Sequence, residues 1–563
     1  MASAGESTSD ALERSRMTEQ AGAPLHTRRS VERAHALVTA HAFWLGIGAI
    51  SLAAAAFLAH QLMAWPPHED ETLALFVARD SLAGVVEHVT RERGGAPLHF
   101  LFAYAVAHFG FGLGGMRLVS AAFAVASLPL VAVLGRRLAD RKSALIATAL
   151  VAGSWVFLFH GVYARMYSLF LFLSLLSFVL LLRALDRRGW SAWGLWGAVA
   201  LLGLASHPYG ALVLASQAAF VVLARRDRVR QAAVAFVVVG VAGIPFWITD
   251  LVLAGRFDVG VGGRGSRLGG PLAIVTYLWQ TAGDFSTGRW PALAAVLVAG
   301  LVGLVAVRNE TRILVLCVIG IPVAAFLSAR LGGSTSPESR HLIFVLPFFA
   351  IVVGAGILRS TRRVPVATVA LTAVLVALEV GWAWHRTPQL FEWEPDKRQA
   401  TRAQAESFLA ATSRPDDVLF GYEPLYLGAW ERNAAFPDVV VPRADATLAL
   451  RTLRRLPKPL GRGVWILDAS ERNNLHPRLE IENRDPGPSG VFETHAFGPF
   501  LVIRTREPVR TDRAYVAAAA RAMLAGRSLG IGDADVNLQT IERADQILRG
   551  YGPSLRLLSD NSR

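Results

Sequence analysis

What this chain can fold into is decided by its apolar segments and by the residues that separate them. About eleven stretches have the length and apolar content of bilayer spans, which take roughly 20 residues at about 1.5 Å of rise each. They run from Ala40 to Ala64, Leu118 to Leu138, Ala144 to Val162, Tyr167 to Leu185, Trp190 to Ser206, Tyr209 to Ala224, Ala232 to Leu253, Pro291 to Val307, Ile313 to Ala329, His341 to Leu358 and Val364 to Trp384. With 53% hydrophobic and 18% charged residues over 563 positions, the chain is too apolar for one soluble globule.

Every second connection is rich in arginine. These are Arg136, Arg137, Arg141 and Lys142; Arg183, Arg187 and Arg188; Arg225, Arg226, Arg228 and Arg230; Arg308 and Arg312; and Arg359, Arg362 and Arg363. The positive-inside rule puts them in the cytoplasm, together with the arginine-bearing polar leader 1–36, read as a disordered tail. Because the +14 net charge is scattered among these connections and not gathered on one domain, nucleic acid is excluded as a partner. The single cysteine, Cys317, lies in an apolar run and rules out a disulfide framework or thiolate metal site.

The remaining connections then face outward and carry the polar residues that call for explanation: the cluster His68-Glu69-Asp70-Glu71, Ala164-Arg165-Met166, His207-Pro208, Asp258, Asp284, Glu338 and Arg340. Acids this close to a membrane surface are usually paired or functional. In the first outer loop, apolar residues at helical spacing from Leu73 to Val89 predict an amphipathic helix on the membrane. Pro97 to Phe111 predicts a second apolar helix that does not cross. The glycine-rich loop Gly255 to Gly270 reads as a substrate-ordered lid or an exposed linker.

After Trp384 the character changes. Strand-like runs at Asp417 to Tyr422, Val439 to Val441, Gly463 to Leu467 and Phe500 to Arg504 alternate with helical patterns near Gln399 to Ala411, Thr511 to Ala525 and Gln539 to Leu548. The expected fold class is an α-helical polytopic membrane protein, with a membrane domain over 37–385 and an extracytoplasmic α/β domain over 386–563.

The order of the short motifs resembles the C-type glycosyltransferase superfamily. They are the acids after the first span, Gly94-Gly95-Ala96-Pro97-Leu98-His99, Arg117-Leu118, Gly135-Arg136-Arg137-Leu138 and Ala164-Arg165-Met166-Tyr167. The resemblance is to bacterial relatives of protein O-mannosyltransferases and of the lipid A aminoarabinose transferase. Where that family has His-Pro-Pro-Leu, this chain has Gly95-Ala96-Pro97-Leu98, with His99 as the candidate to compensate.

The resemblance implies inverting transfer of a sugar from a polyprenyl-phosphate-linked donor to a protein, glycolipid or glycan acceptor outside the cytoplasmic membrane. It implies Asp70 as the catalytic carboxylate, supported by Glu71. Arg165, Tyr167, Arg340 and His341 are the candidates for the donor phosphate, since guanidinium meets phosphate through a planar fork. His207, Tyr209, Glu92 and His99 are candidate pocket residues. Cofactor use stays open: Asp70 would serve either as general base or as ligand to a divalent metal such as Mg or Mn. The competing accounts are acids solvated at a helix N-terminus, arginines snorkelling at the interface and a histidine that caps a turn. The rival function is a polytopic transporter or flippase of lipid-linked substrates. That class places ionisable groups near mid-bilayer and repeats its halves, and neither pattern stands out in this sequence.

Overall fold

The computed structural model describes residues 25–65, 67–187, 189–254, 271–288, 291–331, 339–387, 395–443, 445–469, 481 and 490–550. The readings of Asp258, Glu338 and the Gly255 to Gly270 loop lie outside these residues.

The apolar segments become helices. In chain order they are α1 (Leu25–Gln61), α2 (Glu69–Ala78), α3 (Leu82–Glu87), α4 (Pro97–His108), α5 (Leu113–Leu138), α6 (Arg141–Gly153), α7 (Trp155–Val162), α8 (Tyr167–Asp186), α9 (Trp190–Ser206), α10 (Gly210–Ala224), α11 (Val229–Ala242), α12 (Ile244–Ala254), α13 (Pro271–Phe285), α14 (Ala292–Ala306), α15 (Asn309–Leu331), α16 (Leu346–Ser360) and α17 (Pro365–Arg386). Among the described residues, four helices are long and apolar enough to cross a membrane singly. Two bent pairs, α6 with α7 and α11 with α12, bring the number to six. α9, α10, α14 and α16 are apolar but shorter, at 15 to 17 residues. Against the expected count of about eleven spans, four single helices and two bent pairs among the described residues are long and apolar enough to cross. Ser154, extended at φ −62° and ψ 136°, makes the first bend of 56°.

The arginine-rich connections meet at one end of the bundle. Arg137 at the end of α5 pairs with Asp186 at the end of α8 at 2.5 Å, and Arg225 reaches Asp186 at 3.4 Å and Glu310 of α15 at 3.3 Å. From Asp186, α8 runs 20 residues to Tyr167, a length of about 30 Å. The acidic cluster, Arg165, His207 and Arg340 gather near that far end. Glu379 of α17 departs from the loop-end pattern: it is buried against the Gly153 bend.

Between α14 and α16 the backbones nearly touch. A Cβ on Gly303 would lie 1.7 Å from the Val352 carbonyl oxygen, and one on Gly356 would lie 1.8 Å from that of Ala299. This is the close small-residue packing that holds helices together in lipid, where burial of apolar surface gives no drive.

The segment between α1 and α4 differs from the expected surface helix. It is divided into α2, α3 and a π-helical turn, His88–Arg93. α2 is buried over most of its circumference because two partners cover it: Ala74, Leu75 and Val77 pack toward α4 and α5, and Phe76 packs into the tail domain. α4 has only 12 residues, too few to cross.

The tail contains α18 (Pro395–Thr412), β1 (Val418–Phe420), α19 (Pro424–Arg432), β2 (Val440–Val441), α20 (Ala446–Arg455), β3 (Gly463–Asp468), β4 (Phe492–Phe497), β5 (Phe500–Thr505), α21 (Asp512–Ser528) and α22 (Gly532–Leu548). The sheet order is β2-β1-β3-β5-β4, with β2, β1 and β3 parallel and β3, β5 and β4 antiparallel.

Gly356→Ala should lower the thermal midpoint of the detergent-solubilised protein, since overpacking typically costs about 1–3 kcal/mol. Gly381→Ala on α17, which meets nothing within 4 Å, should leave it unchanged.

Candidate active site

The site is built on the first turn of α2. His68 caps that helix: its Nδ1 accepts from the Asp70 N–H at 3.1 Å, while the Glu71 carboxylate accepts from the His68 N–H at 3.1 Å. Successive residues on a helix point about 100° apart, so Glu69, Asp70 and Glu71 face three different surroundings.

Glu71 faces inward and is 0% exposed. It takes Arg117 Nε at 2.9 Å and Nη2 at 2.7 Å, and also the Ala164 N–H at 2.9 Å. Arg117, itself 2% exposed, donates further to the Leu62 and Trp65 carbonyls, each at 2.9 Å. The pair fastens the end of the first span, α2, α5 and the Tyr163–Met166 connection at one point. Glu71 is thus out of reach of a substrate and holds the framework behind Asp70.

The Asp70 side chain remains 36% exposed. Its Oδ2 lies 3.5 Å from Arg340 Nη1 and 3.4 Å from the Tyr163 hydroxyl, which is also 3.1 Å from His68 Nδ1. Arg165 Nη1 donates to the Asp70 main-chain carbonyl at 2.9 Å. Burial alone would raise the Asp70 carboxyl. Arg165, His68, Arg340 and the Tyr163 hydroxyl together outweigh burial and hold it well below the usual carboxylate range.

Around Arg340 lies a bowl of aromatic and imidazole rings. The Arg340 guanidinium sits 5.5 Å over the Tyr167 ring, with His341 at 6.1 Å and His207 at 5.6 Å from the same ring. Tyr209 lies 5.1 Å from both His207 and His341, and His207 stacks on Phe170 at 4.7 Å. His99 is buried, and burial with the nearby Arg165 charge lowers it to about 3. Burial, Arg165 and Arg340 likewise bring His207 to about 3. Both are neutral at physiological pH, so neither imidazole adds to the positive charge of Arg165 and Arg340.

Of the sequence candidates, Arg165 and Arg340 meet Asp70 directly, Tyr167, His341, His207 and Tyr209 gather around Arg340, and Glu71 lies behind Asp70 in the framework. His99 joins them through its coupling to Arg165. Glu92 lies on the π-helical turn, and its side chain is outside the described atoms. Arg340 and His341 do not begin a helix: they occupy a separate 3-10 turn, Ser339–Leu342, ahead of α16 at Leu346. No helix dipole is therefore available to them. Asp284, one of the polar residues expected on the outward connections, accepts from Ser339 Oγ at 2.9 Å and lies 3.9 Å from Arg386, tying that turn to α13 and α17. Tyr163 was missed, although its place directly before Ala164-Arg165 in a break between spans was a signal. His160, buried among Tyr163, Tyr167 and Trp155, had none.

The donor set does not fit a divalent metal. Glu71 is committed to Arg117, Asp70 faces two guanidiniums, and no group of three His, Cys, Asp or Glu side chains suited to a metal occurs among the described residues.

Residues 95–251 match the family described as dolichyl-phosphate-mannose-protein mannosyltransferase. The fold is similar to that of ArnT from Cupriavidus metallidurans in the apo state, with TM-score 0.54 and 14% identity over 83% of this chain and 98% of that one. Two further structures match: ArnT bound to undecaprenyl phosphate (TM-score 0.49, 14% identity, 81% and 97% coverage) and the arabinofuranosyltransferase AftD from Mycobacteria (0.42, 15%, 83% and 40%). No curated protein sequence matches the chain. The match over residues 95–251 bears out the resemblance to the protein O-mannosyltransferase relatives over that stretch, and the fold is that of ArnT.

Glu71→Gln should destabilise the solubilised protein by about 3–5 kcal/mol, because it leaves the Arg117 charge buried without its counter-ion. Thermal unfolding checks this, and Asp70→Asn should leave the midpoint close to wild type.

Proposed function

We propose that the protein is an inverting membrane glycosyltransferase. It moves a sugar from a polyprenyl-phosphate-linked donor to a protein, glycolipid or glycan acceptor on the outer side of the cytoplasmic membrane. The observation that carries this reading is the meeting of one partly exposed carboxylate, Asp70, with the guanidiniums of Arg165 and Arg340 at one end of the helix bundle. Such a transfer breaks the bond from the anomeric carbon to the phosphate oxygen while an acceptor oxygen attacks the opposite face. The departing phosphate needs cations, and the attacking hydroxyl needs a base. Arg165 Nε is buried and has no hydrogen-bond partner among the described residues, as suits a donor kept for a ligand.

A carboxylate held far below its usual range is always ionised and is a weak base. The donor itself relieves this. When its phosphate engages Arg165 and Arg340, the charges that depress Asp70 are partly neutralised, and its proton affinity rises toward that of an ordinary carboxylate. Asp70 thereby gains basicity only when there is a leaving group to displace. The acceptor proton passes to Asp70, and the polyprenyl phosphate leaves with the electron pair of the broken bond.

Wild type in membranes should release sugar from polyprenyl-phosphate-linked donors, and Asp70→Asn should reduce turnover at least about 10²-fold. Equal turnover by both proteins would remove Asp70 from the mechanism. Turnover should survive EDTA, as the donor set around Asp70 implies.

The acid side of the pH profile adds a second test. Activity that needs ionised Asp70 is present above its folded pKa and lost as pH falls through it, so the depressed value places this loss at low pH. Arg340→Gln removes one depressing charge and should move the fall in kcat/KM to higher pH.

A further inference from the structure

In open sheets with parallel strands, ligands characteristically bind outside the carboxyl ends of the strands. In this tail domain that edge is formed by Gly421-Tyr422-Glu423 after β1 and Pro442-Arg443 after β2. It is occupied by the membrane domain. Glu69 of α2 takes the Tyr422 N–H on Oε1 at 3.3 Å and pairs through Oε2 with Arg443 Nη2. Arg443 Nη1 is held in turn by Glu423 at 2.6 Å.

Further contacts seat the helix. Thr72 Oγ1 donates to the Tyr422 carbonyl at 2.6 Å, Phe76 packs 4.8 Å from Trp430 and 5.4 Å from Tyr422, and Arg79 lies 3.7 Å over the Trp430 ring. The crevice is shaped around the arginine: Gly421 has φ +81°, and a Cβ there would lie 3.0 Å from Arg443 Cδ.

We propose that the carboxyl-edge crevice of the tail domain binds the Glu69 carboxylate as a built-in anionic ligand, and that Arg443 is thereby a positioning residue for the transfer reaction. Glu69 and Asp70 are consecutive on the first turn of α2, so the latch that fixes one fixes the other against Arg340. A displacement of about 1 Å at a reacting group can cost 10²-fold in rate. The donor-phosphate arginines are carried by other elements, Arg165 by the Tyr163–Met166 connection and Arg340 by the Ser339–Leu342 turn.

This inference rests on the proposed transferase reading, and the test separates the two. Full-length wild type, Arg443→Gln, Arg443→Lys and Glu69→Gln are placed in lipid nanodiscs. Hydrogen exchange is followed over residues 69–78, with β3 as the control for tail folding. Arg443→Gln should speed exchange in α2 about tenfold with β3 unchanged, and Arg443→Lys should restore much of the protection. With an active donor, Arg443→Gln should lower kcat about tenfold or more while the donor KM stays within about twofold. Unchanged exchange in α2, or a loss confined to KM, overturns the proposal. If Arg443→Gln also loses β3 protection, Glu69→Gln, which leaves the tail sequence intact, decides in its place. If wild type turns over no donor, the transferase reading fails, and the exchange measurement still decides whether the latch exists.

Discussion

The site hangs from one buried ion pair, Glu71 with Arg117. Taking two charges out of water is costly, and the attraction between them repays that cost only when every other hydrogen-bonding position is also filled. Here it is filled. The carboxylate takes the guanidinium fork, the Ala164 N–H and the His68 N–H, and the guanidinium donates to the Leu62 and Trp65 carbonyls just past the first span. Apolar packing in lipid cannot by itself select one register of helices. A pair that is strongly unfavourable unless all its partners are in place does so, and it brings α1, α2, α5 and the Arg165 connection to a common point.

Because that point is fixed, three consecutive acids can do three different jobs. Glu71 is consumed by the framework, Asp70 is left at a partly open surface between two guanidiniums, and Glu69 turns to the tail domain. Helical geometry alone separates them. The arrangement also explains why α2 is so apolar beyond its first turn: it is covered by the membrane domain on one side and by Phe76's aromatic partners on the other.

Much of this was legible in the sequence, and what was not has physical reasons. Long apolar runs and arginine-rich breaks are written in composition, so the helices and the grouping of polar loops at two ends could be read directly. Asp70, Arg165 and Arg340 stood out because charge beside a membrane is costly. The individual duties of Glu69 and Glu71 were invisible, since each is set by a partner far along the chain, Arg443 and Arg117. α2 looked like a surface helix because the tail domain that covers it is more than 300 residues away. β4 was missed because Phe492–Phe497 alternates around Glu493 and His495 as an edge strand does, without the continuous apolar run that revealed β5. In β5 all six residues are buried.

The electrostatics of Asp70 bear on the order of events. An acid that stays ionised beside two guanidiniums is, before substrate arrives, one member of a nearly satisfied ion cluster, and it has little tendency to take a proton from anything. On the proposed transferase reading, an anionic donor would compete with Asp70 for the same cations. As its phosphate succeeded, Asp70 would be freed as a base, and the reverse would follow once polyprenyl phosphate departed. Linkage makes the coupling reciprocal: whatever binding free energy the donor spends in displacing Asp70 from the arginines reappears as the rise in its proton affinity. On the same reading, water reaching the site without a donor would find a poor base, so the charges proposed to bind the leaving group would also suppress idle proton transfer.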